Sequence, residues 1–362
     1  MHDSKSDSSA ANLANALSPT MAALGVPRPE WLALHQEDIL EPGLPIVDAH
    51  HHLWALPAAS YLGADLLQDL GTGHDVRATV FIDCEAGYRT DGPQALQPVG
   101  ETSFIVEQAR LMEASGARYQ PCAAIVSWAD LSLGEQVAPV LEAHIEAGQG
   151  RFRGVRARPT WHADPGAHPT GAHREGVLLE PAVQQGVRRL GAMGLSLDVW
   201  VYHSQLGDVA ALAANCPDTV MVLNHCGGPL GVGPYAGRRA EVFDEWRMHV
   251  RSLAKFPNLR MKLGGLGMPR MGFGFEQAER PVASELLAQA WGPYFETCIE
   301  SFGADRCMFE SNFPVDKVTC SYAVLWNAFK RASQGCSAAE RADLFSGTAA
   351  RTYRLSVPGV TS

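Results

Sequence analysis

Short apolar runs alternate with longer amphipathic stretches along the whole chain, and this alternation constrains the fold more than any other feature. The runs predict eight strands, at residues 46–52, 78–84, 122–128, 152–158, 195–202, 219–226, 259–264 and 307–313. The stretches between them are helical in pattern, and most end at Gly or Pro. Alternating strands and helices are typical of a parallel sheet, and eight such units favour closure into a barrel. We therefore predict an α/β protein with a single (β/α)8 TIM barrel.

The alternative is an open, doubly wound sheet, which normally has a glycine-rich phosphate turn after its first strand. Here the first strand leads instead into Asp48-Ala49-His50-His51-His52. The barrel is therefore favoured. The start of the chain is polar and rich in Ala and Ser, so we predict a flexible N-terminal extension at residues 1–25 and a barrel domain at residues 26–362.

The charge balance bears on partners. A formal net charge of −10 argues against nucleic acid, which needs a basic face, and favours a small-molecule substrate. The start of the chain lacks the apolar core of a secretory signal, and no run is long enough to span a bilayer. We therefore expect a cytoplasmic protein without membrane contact. The sequence leaves open whether it forms a homo-oligomer.

Residues that can bind a metal or move a proton follow several predicted strands. In a TIM barrel the carboxyl ends of the strands form the active face. The candidates there are His50, His52, Glu85, Arg156, Arg158, His203, His225, Glu310 and Asn312. His50 and His52 project to the same side of their strand, and neutral imidazole is a common ligand of zinc and similar ions. His203 and His225 end strands across the barrel and can reach the same ion or substrate.

Arginines supply the predicted contacts to an anionic substrate. Arg156 and Arg158 lie on one side of the fourth strand, where a guanidinium can pair with a substrate carboxylate. An ordinary salt bridge to Glu85, Asp83 or Glu310 is the equally weighted alternative. We also predict substrate contacts from Glu85 and from Arg238 and Arg270, which lie in the loops after the sixth and seventh strands.

Four motifs together carry a family resemblance: DAHHHLW, VYHSQL, VLNHCGG and FESNFP. In this order they resemble the amidohydrolase superfamily, over nearly the whole barrel, and most closely the branch of pyrone-dicarboxylate lactonase and the sugar-lactone lactonases. The resemblance implies His50, His52 and His203 as metal ligands, with His225 as ligand or oxyanion stabiliser. It also implies hydrolysis of a lactone or a related carbonyl compound.

The sequence departs from that family at two strands. The last strand usually reads G-S-D-W-P, with the aspartate as general base, whereas this chain has Glu310-Ser311-Asn312-Phe313-Pro314. An amide cannot accept a proton, so we favour Glu310, on the same side of the strand, as the base. The alternatives are that His203 or His225 is the base, or that the protein has lost hydrolysis and only binds its ligand. The predicted catalytic residues are thus Glu310, His225 and Asn312.

The fourth strand lacks the lysine that bridges two metals in binuclear relatives. This predicts one divalent ion, zinc or manganese, and leaves metal-free catalysis open. Hydrolysis of a carboxylate-bearing lactone is the favoured function. The alternatives are zinc-dependent decarboxylation of an aromatic or muconate-type acid, and ligand binding without hydrolysis.

Overall fold

Eight parallel strands form one sheet, in the order in which they occur along the chain. The computed structural model describes residues 26–55, 59–168 and 174–360. The strands are β1 Ile46–His51, β2 Val76–Ile82, β3 Gln120–Ser127, β4 Phe152–Ala157, β5 Ser196–Val199, β6 Met221–Leu223, β7 Leu259–Leu263 and β8 Cys307–Phe309. Each strand pairs in parallel with the next along the chain.

The barrel closes between β1 and the segment after β8. The backbone N–H of Asn312 donates to the carbonyl of His50, and the N–H of His52 donates to the carbonyl of Phe313, both at 2.8 Å. A parallel bridge between His51 and Phe313 lies at the same place. These contacts confirm the predicted TIM barrel and bring the first and last motifs side by side.

Helices between the strands form the outer layer. They are α1 Pro29–Leu32, α2 Gly63–Leu70, α3 Val99–Ala114, α4 Ala138–Gly148, α5 Pro181–Ala192, α6 Leu206–Asn215, α7 Arg239–Leu253, α8 Ser284–Phe302, α9 Tyr322–Ala332, α10 Ala338–Ala342 and α11 Thr348–Tyr353. Pro181 opens α5 at a position where the helix needs no backbone N–H. None of the helices in the described ranges is long and apolar enough to cross a membrane.

The interior of the barrel is filled by small and branched side chains, among them Val47, Ala49, Val80 and Val126. Tyr353, at the end of α11, belongs to the same buried cluster and is fully buried. Residues close to the C-terminus thus contribute a large side chain to the barrel interior.

Several strands end earlier than the apolar runs predict. β5, β6 and β8 stop at Val199, Leu223 and Phe309, so the residues expected at strand ends lie in the turns that follow. His225 has a φ of 55° and Cys226 a φ of 52°, which a strand cannot accommodate. The predicted extension at residues 1–25 lies outside the described residues.

Candidate active site and metal centre

Glu310 lies at the centre of a fully buried cluster at the carboxyl ends of the strands. Its Oε2 is 2.8 Å from Nδ1 of His50, at the end of β1. Its Oε1 is 2.7 Å from Nδ1 of His225, in the turn after β6, and accepts the backbone N–H of the same histidine at 3.0 Å. Side chains from β1 and from the turn after β6 therefore meet at the Glu310 carboxylate, which follows β8.

Two glycines after β7 let the backbone approach this cluster closely. A Cβ at Gly265 would lie 2.4 Å from Nδ1 of His225, and Gly265 has a φ of +68°. A Cβ at Gly264 would lie 2.5 Å from Cγ of Glu310. Contacts below about 3 Å are forbidden to a real Cβ, so both positions require glycine. The loop after β7 thus fixes the two side chains from one side.

Hydrogen bonds assign the protons of the first-strand histidines. Nδ1 of His52 is 2.8 Å from the carbonyl of Ile82, which only accepts, so this nitrogen carries the proton. Nε2 of His52 is then an acceptor and lies 3.1 Å from Nε2 of His50. The proton of a neutral His50 is therefore on Nε2, which leaves Nδ1 as a lone pair facing Glu310.

This assignment places two acceptors, Nδ1 of His50 and Oε2 of Glu310, against each other. Within the described residues Oε2 has no hydrogen-bond donor. A proton or a cation between the two atoms removes the repulsion. One ligand atom each from His50, His225 and Glu310 lie within 4.8 Å of one another, and two imidazoles with a carboxylate are a usual donor set for zinc. The residues therefore fit a divalent ion.

A buried lysine that we did not predict completes the cluster. Nζ of Lys262, on β7, lies 2.7 Å from Oδ2 of Asp198 and 3.4 Å from Nδ1 of His50. Asp198, on β5, also accepts the hydroxyl of Tyr353 at 3.0 Å and the amide of Asn224 at 2.9 Å. The sequence signal was a charged residue between the apolar Met261 and Leu263 at the end of β7.

Burial sets the protonation of the cluster. Burial raises the pKa of Glu310 to about 8, against the opposing effects of Lys262 and of the His225 N–H. Burial, together with the positive charges of Lys262 and Arg156, holds the pKa values of His50 and His225 well below the ordinary range. Both imidazoles are thus neutral, the form that binds a metal or accepts a proton.

The structure pairs Arg156 and Arg158 with acids from the end of β2. Nε of Arg156 and Nε of Arg158 lie 3.4 and 3.2 Å from Oδ2 of Asp83, and Arg158 also pairs with Glu85. Burial tends to raise the pKa of Asp83, but the two guanidinium groups hold it below its ordinary value. The salt-bridge alternative is therefore the one found, and the substrate contact predicted for these arginines stays a prediction.

The remaining predicted arginines lie in different surroundings. Arg238 is exposed and pairs with Glu241 three residues along α7, 2.6 Å away. Arg270 is half-buried, and its Nη1 donates to the hydroxyl of Tyr202 at 2.7 Å. Its charge is also among those that lower the pKa of His225. Arg270 is therefore a neighbour of the cluster, while Arg238 lies at the surface.

His203 and Asn312 do not join the three-residue group. Nδ1 of His203 accepts the backbone N–H of Leu230 at 3.3 Å, and its ring contacts Tyr235. The proton of a neutral His203 is then on Nε2, which is buried and has no hydrogen-bond partner in the described residues. The ligand role predicted for His203 stays a prediction. The amide nitrogen of Asn312 donates to Asp316 at 2.8 Å, so its oxygen faces Nε2 of His52 at 3.3 Å, and these two atoms are a second pair of opposed acceptors.

Comparison with known proteins identifies the family. The family model described as "Amidohydrolase" matches residues 47–355, which includes every strand from β2 to β8 and all but the first residue of β1. The chain belongs to the amidohydrolase family. The resemblance inferred from the four motifs is thereby confirmed, and this amidohydrolase is a hydrolase enzyme.

Three similar proteins each match 86% of the chain. The uncharacterized protein y4mH of Sinorhizobium fredii is 33% identical over 86% of this chain and 98% of its own length. L-fucono-1,5-lactonase of Burkholderia multivorans is 29% identical over 86% of this chain and 97% of its own. A crystal structure of an amidohydrolase from Burkholderia multivorans with bound zinc is 27% identical, with a TM-score of 0.66 over 86% of this chain and 99% of that one.

Proposed function

We propose that this amidohydrolase hydrolyses a small, carboxylate-bearing lactone with one divalent ion, zinc or manganese, held by His50, His225 and Glu310. The observation that carries the metal assignment is the group of three ligand atoms, one each from His50, His225 and Glu310, that lie within 4.8 Å of one another. Similarity to an enzyme named L-fucono-1,5-lactonase supports the lactone, and the zinc in a similar crystal structure supports the metal.

His52 orients the metal-binding histidine in this account. Its ring is fixed by the carbonyl of Ile82 and accepts the Nε2 proton of His50, which directs Nδ1 of His50 towards Glu310. Partners of this kind select the tautomer and ring orientation of a ligand histidine. We therefore assign His52 to positioning, a change from the ligand role that the family resemblance implies.

A divalent ion at this site would polarise the lactone carbonyl and lower the pKa of a water molecule. Glu310 receives the proton of the attacking water directly. The bond between Nδ1 of His225 and Oε1 of Glu310 holds the ring and the carboxylate in place for this step. Asn312 holds Asp316 and cannot take this role.

Arg270 and Tyr202 are the proposed contacts of the substrate oxygens. Nε of Arg270 has no hydrogen-bond partner in the described residues, although it is buried, and Nη1 already touches the Tyr202 hydroxyl. A guanidinium held in this way can receive a carboxylate or a developing oxyanion. Arg156 and Arg158 contribute their positive charge from the Asp83 side.

The test is acid release from a panel of γ- and δ-lactones, with and without carboxylates, measured by pH-stat before and after treatment with a chelator. We expect chelator-sensitive acid release by the native enzyme, and a loss of about a hundredfold or more in Glu310→Gln. Glu241→Gln, at an exposed carboxylate, is the matched control and should retain full activity. Release of carbon dioxide from aromatic acids, without acid release from lactones, would instead establish the decarboxylase.

A further inference from the structure

A concavity lies on the face of the barrel that carries the cluster. It has a volume of about 340 Å³ and opens between the carboxyl ends of β3 and β4 and the start of α5. Its lining includes Trp128, Leu131, Pro159, Leu178, Val183 and Arg158. The mechanism above uses none of the apolar residues in this set, so the pocket has no role in it. We call it the side pocket.

The side pocket combines apolar, buried walls with charged lining residues, which are Glu85, Asp130, Arg158, Arg174 and Glu180. Leu131, Leu178 and Val183 retain only 6%, 1% and 4% of their exposure, and each contributes hydrocarbon to the lining. Small-molecule pockets are lined mostly by apolar side chains together with some polar groups, and have volumes of roughly 300–1,000 Å³. The side pocket is at the small end of that range and suits a group of a few carbons.

Local contacts hold the walls in place without a ligand. The short helix Leu131–Val137 packs along α5, and a Cβ at Gly186 would lie 2.5 Å from the carbonyl oxygen of Leu131. The carbonyl of Trp128 is within 3.1 Å of Nε2 of His144, whose Nδ1 lies 2.7 Å from the Thr102 hydroxyl. The pocket is therefore formed in advance, which reduces the cost of binding.

Arg158 joins the side pocket to the barrel mouth. Its Nε faces the buried Asp83, its Nη2 faces Glu85, and its side chain is 23% exposed. Among the described residues, the contacts of Arg158 use Nε and Nη2 and leave Nη1 for a ligand oxygen. Arg156 shares Asp83 with it, and the charge of Arg156 is felt by His50 and His225. Arg158, Asp83 and Arg156 therefore link the pocket to the reacting residues.

We infer that the side pocket is the subsite for a hydrocarbon substituent, alkyl or aryl, on the lactone ring. The inference rests on the proposed function and narrows its substrate class. An oxygen next to the substituent would meet Nη1 of Arg158, and the carbon chain would lie against Leu131, Leu178 and Val183. A polyhydroxylated lactone leaves these apolar walls in water and gains nothing from them. Each methylene that the walls bury increases kcat/KM about fourfold.

The test compares δ-valerolactone with δ-decalactone, which is the same ring with a pentyl group. We expect kcat/KM to be at least tenfold higher for δ-decalactone, since several methylenes are buried. Ser132→Trp places a ring in the pocket from an exposed lining position and should remove this preference while δ-valerolactone turnover stays unchanged. Leu179→Trp, at an exposed residue outside the lining, is the control and should keep the preference.

Equal rates for the two lactones in the native enzyme would overturn the side-pocket inference and leave lactone hydrolysis intact. If neither lactone releases acid, the carboxylate-bearing lactones of the panel above decide the proposed function, and calorimetric titration with hexanoate tests the pocket alone. Hexanoate should bind the native protein and the Leu179→Trp variant and should not bind Ser132→Trp. Equal binding to all three proteins, or to none, would overturn the inference.

Discussion

Replacing Lys262 with methionine should destabilise the barrel more than any surface substitution. The side chain is fully buried, and its ammonium group lies 2.7 Å from Asp198, which is equally buried. Removing one partner of a buried ion pair leaves an uncompensated charge, which costs about 3–5 kcal/mol. Asp198 keeps hydrogen bonds from Tyr353 and Asn224, so we place the loss at the lower end, about 3 kcal/mol.

A second substitution separates charge from packing. In the double variant Lys262→Met/Asp198→Asn no buried charge remains at this pair. We therefore expect its free energy of unfolding to be about 2 kcal/mol higher than that of Lys262→Met alone. Lys317→Met is the control, because its pair with Asp69 has the same kind of contact, 2.6 Å, but side chains 21% and 11% exposed. We expect that variant to lose about 1 kcal/mol or less.

The assay is urea unfolding followed by tryptophan fluorescence, with the free energy of unfolding and the m-value compared among the four proteins. The reasoning is refuted if Lys262→Met unfolds at the same urea concentration as the native protein. It is also refuted if the double variant is less stable than Lys262→Met, because the buried Asp198 charge would then not be the source of the loss.

Further predictions concern the glycine at the cluster, the buried histidines and the hydroxyl that holds Asp198. Gly265→Ala should lower kcat at least tenfold with an unchanged circular dichroism spectrum, because its Cβ would displace the ring of His225. Burial lowers the pKa of His144 from 6.5 to about 4, so the unfolded chain binds the extra proton and stability should fall as pH drops from 6.5 towards 4; urea midpoints should follow this course, and less steeply in His144→Gln. Tyr353→Phe removes a hydrogen bond to Asp198 and should lower stability by about 1 kcal/mol and kcat without changing KM, as steady-state kinetics would show.

The fold could be predicted because strand and helix periodicity is repeated in every βα unit. The contact between the end of β1 and the segment after β8 was also predictable, because closure of the barrel places the first and last motifs side by side. His50 and Glu310 therefore meet as the sequence indicates. His225 joins them through a turn in the left-handed region, a conformation that the apolar run before it does not reveal.

Other parts of the site depend on contacts that no single segment encodes. His203 follows β5 as predicted, but the backbone N–H of Leu230 in the next loop occupies its Nδ1. The pairing of Arg156 and Arg158 depends on Asp83, which comes from a strand that is not a neighbour of theirs. Lys262 was visible in the sequence as a charge between Met261 and Leu263, and its buried partner Asp198 as a charge between Leu197 and Val199.

Metal content is the most direct test of the central claim that His50, His225 and Glu310 hold the catalytic ion. Inductively coupled plasma mass spectrometry should be applied to the purified native protein and to the Glu310→Gln and His203→Gln variants. We expect about one zinc or manganese ion per chain in the native protein and in His203→Gln, and little in Glu310→Gln. A native protein that hydrolyses lactones without bound metal, or an ion kept in Glu310→Gln and lost in His203→Gln, would contradict the account.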